Sequence, residues 1–454
     1  MMAEKHMNAK KTIDLQKKRF FSFSLLKINY ILTSSLFVFT PQGVSCQFIH
    51  NIKEKRTMRT VGTTVRGIRC PIFRRGDDLA TQVVEALKTS WEQEGYELHD
   101  RDVIGITESV VARTQGNYVT IDQIAADVKA KFPKGTVGLT FPILSRNRFS
   151  VLLRGIARGA EKVHIMFSFP ADEVGNHLMS IDKMDESGID PYRDVLDEKR
   201  YREVFGEVVA HPFTGMDYVT YYKEIVGADK VSVSFANDVR EILKYTDQVI
   251  TCDIHTRARS KRLLKAAGAK VVYGLDDICT APVEPGAGFN AAYGLLGSNK
   301  SDDEKVKLFP RDCEPLVNDI QKRLFDLTGK KVEVMVYGDG AFKDPVGKIW
   351  ELADPVVSPA YTSGLVGTPN ELKLKYLADE LQKGSGDDAA IKESIIERIR
   401  AKGKNLVGKE ESLGTTPRQL TDLLGSLCDL TSGSGDKGTP VILIQGYFDN
   451  LSNA

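Results

Sequence analysis

The sequence predicts an α/β protein in which a mixed α+β core is interrupted by a βαβ-rich subdomain. Three observations carry that expectation. Over residues 231–273, short β-branched apolar runs alternate with helix-like segments, the pattern of parallel strands joined by crossover helices. Leu79, Val83, Val84 and Leu87 fall on one face of a helix nearer the N-terminus. Four consecutive apolar residues, Val441, Ile442, Leu443 and Ile444, read as a buried strand close to the C-terminus.

Residues 1–57 stand apart from the rest of the chain. A basic stretch over 10–19 precedes an apolar stretch over 28–39, and Val44, Ser45 and Cys46 come next, an order like that of a secretory signal. Lys27 and Asn29 interrupt the apolar character, and the run is too short to span a bilayer. The segment is expected to be an extension, a start-site artefact or disordered, with Met58 opening the folded chain. A functional signal or anchor is the other reading.

Asp78 stands where it can cap the helix that starts at Leu79, and Gly76 belongs to the tight turn before it. A strand over 102–107 runs directly into Ser109, Val110, Val111, Ala112 and Arg113. In the central stretch, strands are expected at 231–235, 248–252 and 270–273 and helices at 239–245 and 260–267, with a loop at 285–288. A helix over 315–327, stopped at Gly329, leads to a strand at 332–336. Beyond Trp350 the chain turns Pro- and Gly-rich and then charged, and 383–388 has the composition of a flexible surface loop. A helix over 416–430 precedes the final strand. These breaks divide the chain into the extension 1–57, a core of 58–136, 286–350 and 413–454, an inserted α/β subdomain 137–285, and a helical and loop insertion 351–412.

At 454 residues the chain is long enough for more than one lobe with its own core. Hydrophobic residues at 42% and charged residues at 27% give an ordinary globular composition. Sixty-two basic against sixty-one acidic side chains leave a net charge of +1, which removes the basic excess a phosphate-backbone binder needs and argues against nucleic acid as a partner. The six cysteines are scattered without a CxxC pair, as expected of reduced thiols in the cytoplasm. No HExxH occurs among the seven histidines, and no stable membrane association is expected.

Four segments carry candidate chemistry. The loop of Ser432, Gly433, Ser434, Gly435, Asp436, Lys437 and Gly438 lets backbone N–H groups face an anion, although GxxxxGK[ST] is not matched; a mobile polar turn is its plain alternative. Cys252, Asp253, Ile254, His255, Thr256 and Arg257 end a strand, where α/β proteins place sites, or form a capped strand end with a buried thiol. Ser145, Arg146, Asn147 and Arg148, with Arg154 and Arg158, either gather anionic groups or form a solvated basic face. Asp339 lies between two glycines in a tight turn after an apolar strand.

The sequence resembles the coenzyme F420-0:L-glutamate ligase family. The resemblance is carried by Gly67-Ile68-Arg69-Cys70-Pro71-Ile72-Phe73-Arg74-Arg75-Gly76-Asp77-Asp78-Leu79, by Ser109-Val110-Val111-Ala112-Arg113-Thr114-Gln115-Gly116 and by Gly294-Leu295-Leu296-Gly297-Ser298-Asn299. Leu308-Phe309-Pro310, Val336-Tyr337-Gly338-Asp339 and Gly433-Ser434-Gly435-Asp436-Lys437-Gly438-Thr439-Pro440 continue it in the family's order. It implies a GTP-dependent acid–amino-acid ligase that uses Mg or Mn, activates a small acidic substrate as an acyl phosphate, joins it to L-glutamate in a γ-glutamyl-type amide, and works as a homodimer. By position it implies GTP contacts at Cys70, Pro71, Ile72, Phe73, Glu108, Ser109, Arg113 and Asn299, and along Ser432, Gly433, Ser434, Gly435, Asp436, Lys437, Gly438 and Thr439. Asp339 and Arg113 take the catalytic roles, and Asp339 with Asp436 the metal. Arg113 stands where the family has a lysine, Leu296 where it has an aspartate, and Ser434 where it has a glutamate. These departures keep two further readings open, a non-catalytic nucleotide- or anion-binding regulator and an enzyme of other chemistry centred on Cys252 and His255.

Overall fold

The computed structural model describes residues 60–133, 135–338, 342–343, 350–351, 358–382, 388–412, 418–432 and 436–452. All of them belong to the unit that begins at Met58. From its N-terminus the chain lays down β1 (Thr64–Ile68), α1 (Leu79–Glu94), β2 (Val103–Thr107), α2 (Glu108–Gln115), β3 (Tyr118–Thr120) and α3 (Ile121–Lys131). Then come β4 (Thr136–Thr140), α4 (Phe149–Gly159), β5 (Lys162–Phe167), α5 (Ile181–Glu186), β6 (Leu196–Asp197), α6 (Glu198–Phe205), α7 (Tyr218–Val226), β7 (Val231–Phe235) and β8 (Gln248–Thr251). The next stretch holds α8 (Arg257–Ala266), β9 (Val271–Gly274), β10 (Asn299–Asp302), β11 (Lys305–Lys307), α9 (Cys313–Thr328), β12 (Glu333–Tyr337) and the hairpin of β13 (Phe342–Lys343) and β14 (Trp350–Glu351). Last are β15 (Ala360–Tyr361), α10 (Leu374–Gln382), α11 (Asp388–Ala401), α12 (Leu420–Ser432) and β16 (Val441–Gln445).

Two sheets organise these elements, and the α/β class holds. One is mixed, in the order β1-β16-β2-β12-β15, with β2 and β12 parallel and the other pairs antiparallel. Strand alternation sends Ile104, Ile106, Val334, Val336, Val441 and Leu443 to the face covered by α1 and α9. Val103, Met335, Ile442 and Ile444 point the other way, onto Leu424 and Cys428 of α12. Gly105 is needed between them, since a Cβ there would collide with Cys428 Sγ. Asp78 starts α1 by accepting from Thr81 N, and Gly95 ends it at φ 68°.

The second sheet runs β6-β7-β5-β4-β8-β9, all parallel except the edge strand β6. Leu139, Ile165, Phe167, Val233 and Phe235 face one side with Leu152 and Ile156 of α4, while Val249 and Met166 face the other with Ile242 and Leu264. The strands expected at 231–235 and 248–252 appear at Val231–Phe235 and Gln248–Thr251. The segment expected as a helix over 239–245 is a 3-10 helix, Val239–Lys244, because it must close a short link from β7 to β8 and buries only Val239 and Ile242. The helix expected at 260–267 begins earlier, at Arg257.

Packing places the border between the lobes outside the segment 137–285. Val119, Ile121, Ile124 and Val128, and later Leu295, Leu296, Val306 and Leu308, belong to the core of the parallel sheet. A small sheet of β10, β11 and β3 ties those flanking segments together. Within the insertion 351–412, Leu377 of α10 packs on Ile391, Ile395 and Ile399 of α11. Of the loop expected at 383–388, residues 383–387 lie outside the described residues. Among the described residues no helix is long and apolar enough to cross a membrane.

Candidate functional site

Antiparallel pairing of β1 with β16, in the register Ile68 opposite Val441, brings the loop after β1 against the loop before β16. Cys70 N donates to Gly438 O at 3.1 Å, and Thr107 N donates to Pro440 O at 3.0 Å. Gly67 leaves room for the Thr439 side chain, 2.9 Å from where a Cβ would stand. Gly76 N donates to Thr114 O at 2.8 Å, tying the same loop to α2. Backbone hydrogen bonds therefore gather Cys70, Pro71, Ile72 and Phe73 with Glu108, Ser109 and Arg113 and with Asp436, Lys437, Gly438 and Thr439. The meeting place is the carboxyl end of the parallel pair β2 and β12.

Within this group the side chains differ in what they offer. Phe73 is buried and anchors its loop, whereas Ile72 is 81% exposed. Burial pushes the Cys70 thiol up to about 12, and its Sγ–H donates to Ile68 O, so it stays a neutral wall rather than a nucleophile. Ser109, Arg113, Asp436 and Lys437 are exposed, and Arg113 makes no ion pair among the described residues. Thr107 caps α2, accepting from Ser109 N. Ser432 ends α12 with its hydroxyl donating to Asp429 O, and Thr439 Oγ donates to Ser432 O at 3.4 Å. Gly433, Ser434, Gly435 and Asp339 lie outside the described residues.

Glu108 is buried and bound on both carboxylate oxygens by Lys307 Nζ at 2.6 Å. Lys307 lies opposite Asn299 in the β10–β11 ladder, which brings Asn299 into the same neighbourhood. Sequence reasoning missed Lys307, although a lysine between Val306 and Leu308 in an apolar run signals a buried partner. Among the described residues no three His, Cys, Asp or Glu side chains gather as a cation site, and Asp436 is exposed. Leu296 is buried in the parallel-sheet core, so the position where the family has an aspartate is packed with apolar side chains.

The remaining candidate segments lie elsewhere. Cys252 is buried, its thiol held far above the usual range by burial and donating to Ile250 O, so no thiolate is available to His255, which is exposed. Asp253 is buried, and burial holds its carboxyl above the ordinary value while Thr256 and Ser260 donate to Oδ2. Arg154 donates to Asp303 O and Arg158 binds Asp122 and Glu304, so these two arginines join strands and helices. Arg146 remains exposed. Asp276 and Asp277 are occupied by Arg257 and Lys261.

No curated protein matches the chain. A family model described as F420-0:Gamma-glutamyl ligase matches residues 67–446 of the 454, and the chain belongs to that family of amide-bond-forming ligases.

Proposed function

We propose that the chain is a GTP-dependent acid–amino-acid ligase that forms a γ-glutamyl-type amide by way of an acyl phosphate. The observation that carries this reading is the convergence of the 70–73, 108–113 and 436–439 segments at the carboxyl end of β2 and β12, with backbone amides beside the amino end of α2 and the exposed Arg113 in that helix's last turn. GTP lies against these groups, and Ile72 offers an apolar surface to the base. The carboxylate of the small acidic substrate attacks the γ-phosphorus and GDP leaves. The amine of L-glutamate then attacks the acyl carbon, phosphate departs and the amine gives up its proton. Arg113 and the loop amides neutralise charge on the transferring group. Mg or Mn would add neutralisation at the phosphates, with Asp436 and Asp339 as the side chains proposed to hold it. The working form proposed is a cytoplasmic homodimer.

The test is turnover of GTP with Mg²⁺ or Mn²⁺, L-glutamate and a panel of small acids, followed as GDP release. Arg113→Ala should weaken GTP binding by about 1.5–3 kcal/mol, the range for a hydrogen bond to a charged group. Calorimetry showing unchanged affinity in a folded Arg113→Ala protein removes Arg113 from the site. A second reading, a nucleotide-binding regulator without catalysis, is favoured by the buried Leu296. It prevails if GTP binds equally well in excess chelator and no acid supports GDP release.

A further inference from the structure

The order of the parallel sheet reverses between β4 and β8: counted along the chain, its parallel strands stand third, second, first, fourth and fifth. The helices that follow these two strands go to opposite faces, α4 to the side of Leu139 and α8 to the side of Val249. Such a reversal opens a crevice outside the carboxyl ends of the two strands, the usual ligand position in open α/β sheets.

Two buried polar atoms at this place have no hydrogen-bond partner, Thr140 Oγ at the end of β4 and Asp253 Oδ1 just beyond β8. Leu139 and Cys252 belong to the core under α4, so alternation turns Thr140 and Asp253 to the opposite face, toward the amino end of α8. Asp253 Oδ2 is held there by Thr256 Oγ at 2.6 Å and by Ser260 Oγ at 2.8 Å, which leaves Oδ1 without a donor. No side chain caps α8. In the loop that precedes it, the carboxylate of Glu173, from the loop after β5, accepts from Ile254 N and His255 N. A carboxylate of the chain's own therefore sits on the two amides that follow Asp253 in the chain.

We propose that this switch point is a ligand site separate from the nucleotide end of the mixed sheet, and that it takes a small phosphorylated polyol. A hydroxyl is the group that meets both orphans at once, since it donates to the Asp253 carboxylate and accepts from the Thr140 hydroxyl. The phosphate takes the amides of Ile254 and His255, in the loop just before α8, in place of the Glu173 carboxylate. The site does not rest on the ligase reading and stands if that reading fails.

Calorimetry on the full chain with ribose 5-phosphate as the probe tests this, with ribose, inorganic phosphate and L-glutamate titrated alongside. Ribose 5-phosphate should bind, and ribose or phosphate alone should bind at least about tenfold more weakly. Thr140→Val and Asp253→Asn should each weaken it by about tenfold or more, and GTP binding should not change in either. Glu173→Gln should tighten it several-fold, because the competing carboxylate loses its charge. The proposal is overturned if neither the wild type nor Glu173→Gln binds ribose 5-phosphate, or if Thr140→Val and Asp253→Asn bind it as the wild type does. Inorganic phosphate or L-glutamate binding as tightly as the sugar phosphate also overturns it. Should either orphan variant melt before assay, Glu173→Gln decides alone, and unchanged or weaker binding there is fatal.

Discussion

The mixed sheet and the parallel sheet bring functional groups together by different means. In the mixed sheet, antiparallel pairing of the first and last strands closes a distance of some hundreds of residues, and Cys70 meets Gly438 through one backbone hydrogen bond. In the parallel sheet every joint from strand to helix opens at the same end, and the reversal of strand order sets the first and fourth of its parallel strands, β4 and β8, side by side at the crevice. Their charges are treated differently too. The mixed sheet's end pairs its buried carboxylate, Glu108, with a buried ammonium, whereas the parallel sheet leaves Asp253 Oδ1 without a partner. The first arrangement fixes a wall. The second leaves one oxygen of a buried carboxylate unbonded.

The largest effect that sharpens this contrast is at Lys307. Replacing it with Met takes from the buried Glu108 carboxylate the ammonium that binds both its oxygens and should cost about 3–5 kcal/mol in denaturant unfolding. The double variant Glu108→Gln with Lys307→Met should recover most of that loss, because the carboxylate that Lys307 held is then neutral as well. If Lys307→Met alone lies within about 1 kcal/mol of the wild type, the range of an exposed pair, the pair is hydrated and the contrast between the two ends dissolves.

The parallel sheet has its own pH signature. His164 on β5 is bracketed by Ser232 and Ser234 and stacked on Tyr245 at 3.6 Å between ring centroids, and burial lowers its pKa from 6.5 to about 4. The folded ring therefore stays neutral where the unfolded ring takes up a proton. Its stabilising contribution is complete above pH 6.5 and is lost as pH falls from 6.5 toward 4, at up to about 1.4 kcal/mol per pH unit. His164→Gln should flatten that slope between pH 6.5 and 5.5 in urea midpoints. A wild type with no slope there means the ring is solvated in the folded state.

The two sheets also differ in how far the sequence could be read. Gln248–Thr251 was legible because a doubly covered parallel strand must be apolar and β-branched, and Val231–Phe235 because Val and Phe alternate there with Ser. Strand order was not, since nothing in β4 or β8 states that they are neighbours, and with it the switch point stayed hidden. Cys70, Glu108 and Gly438 came to one site only through the family resemblance, because the hydrogen bonds that join their segments are backbone ones and leave no side-chain signature. The partner of Glu108 lies 199 residues away, a separation no local pattern spans. Leu296 shows the reverse case: its departure from the family pattern was visible, and its reason, a place in the parallel-sheet core, needed the packing.

The smallest effect tests where one sheet's territory ends and the other's begins. Thr120 closes β3 and caps α3, its hydroxyl accepting from Gln123 N while the Gln123 side chain accepts from Thr120 N, a reciprocal capping box. α3 buries Ile121, Ile124 and Val128 in the core of the parallel sheet, although it precedes the segment 137–285 in sequence. Thr120→Ala should therefore cost about 1 kcal/mol, the usual loss of a threonine cap, and hydrogen exchange should speed up in α3 and in the α4 turns packed on it. Asp78→Ala, at the cap of α1, should cost a similar amount but speed exchange in α1 and α9 under the mixed sheet. Should Thr120→Ala instead loosen α1 and α9, the helix reports to the mixed sheet and the border drawn by the cores is misplaced.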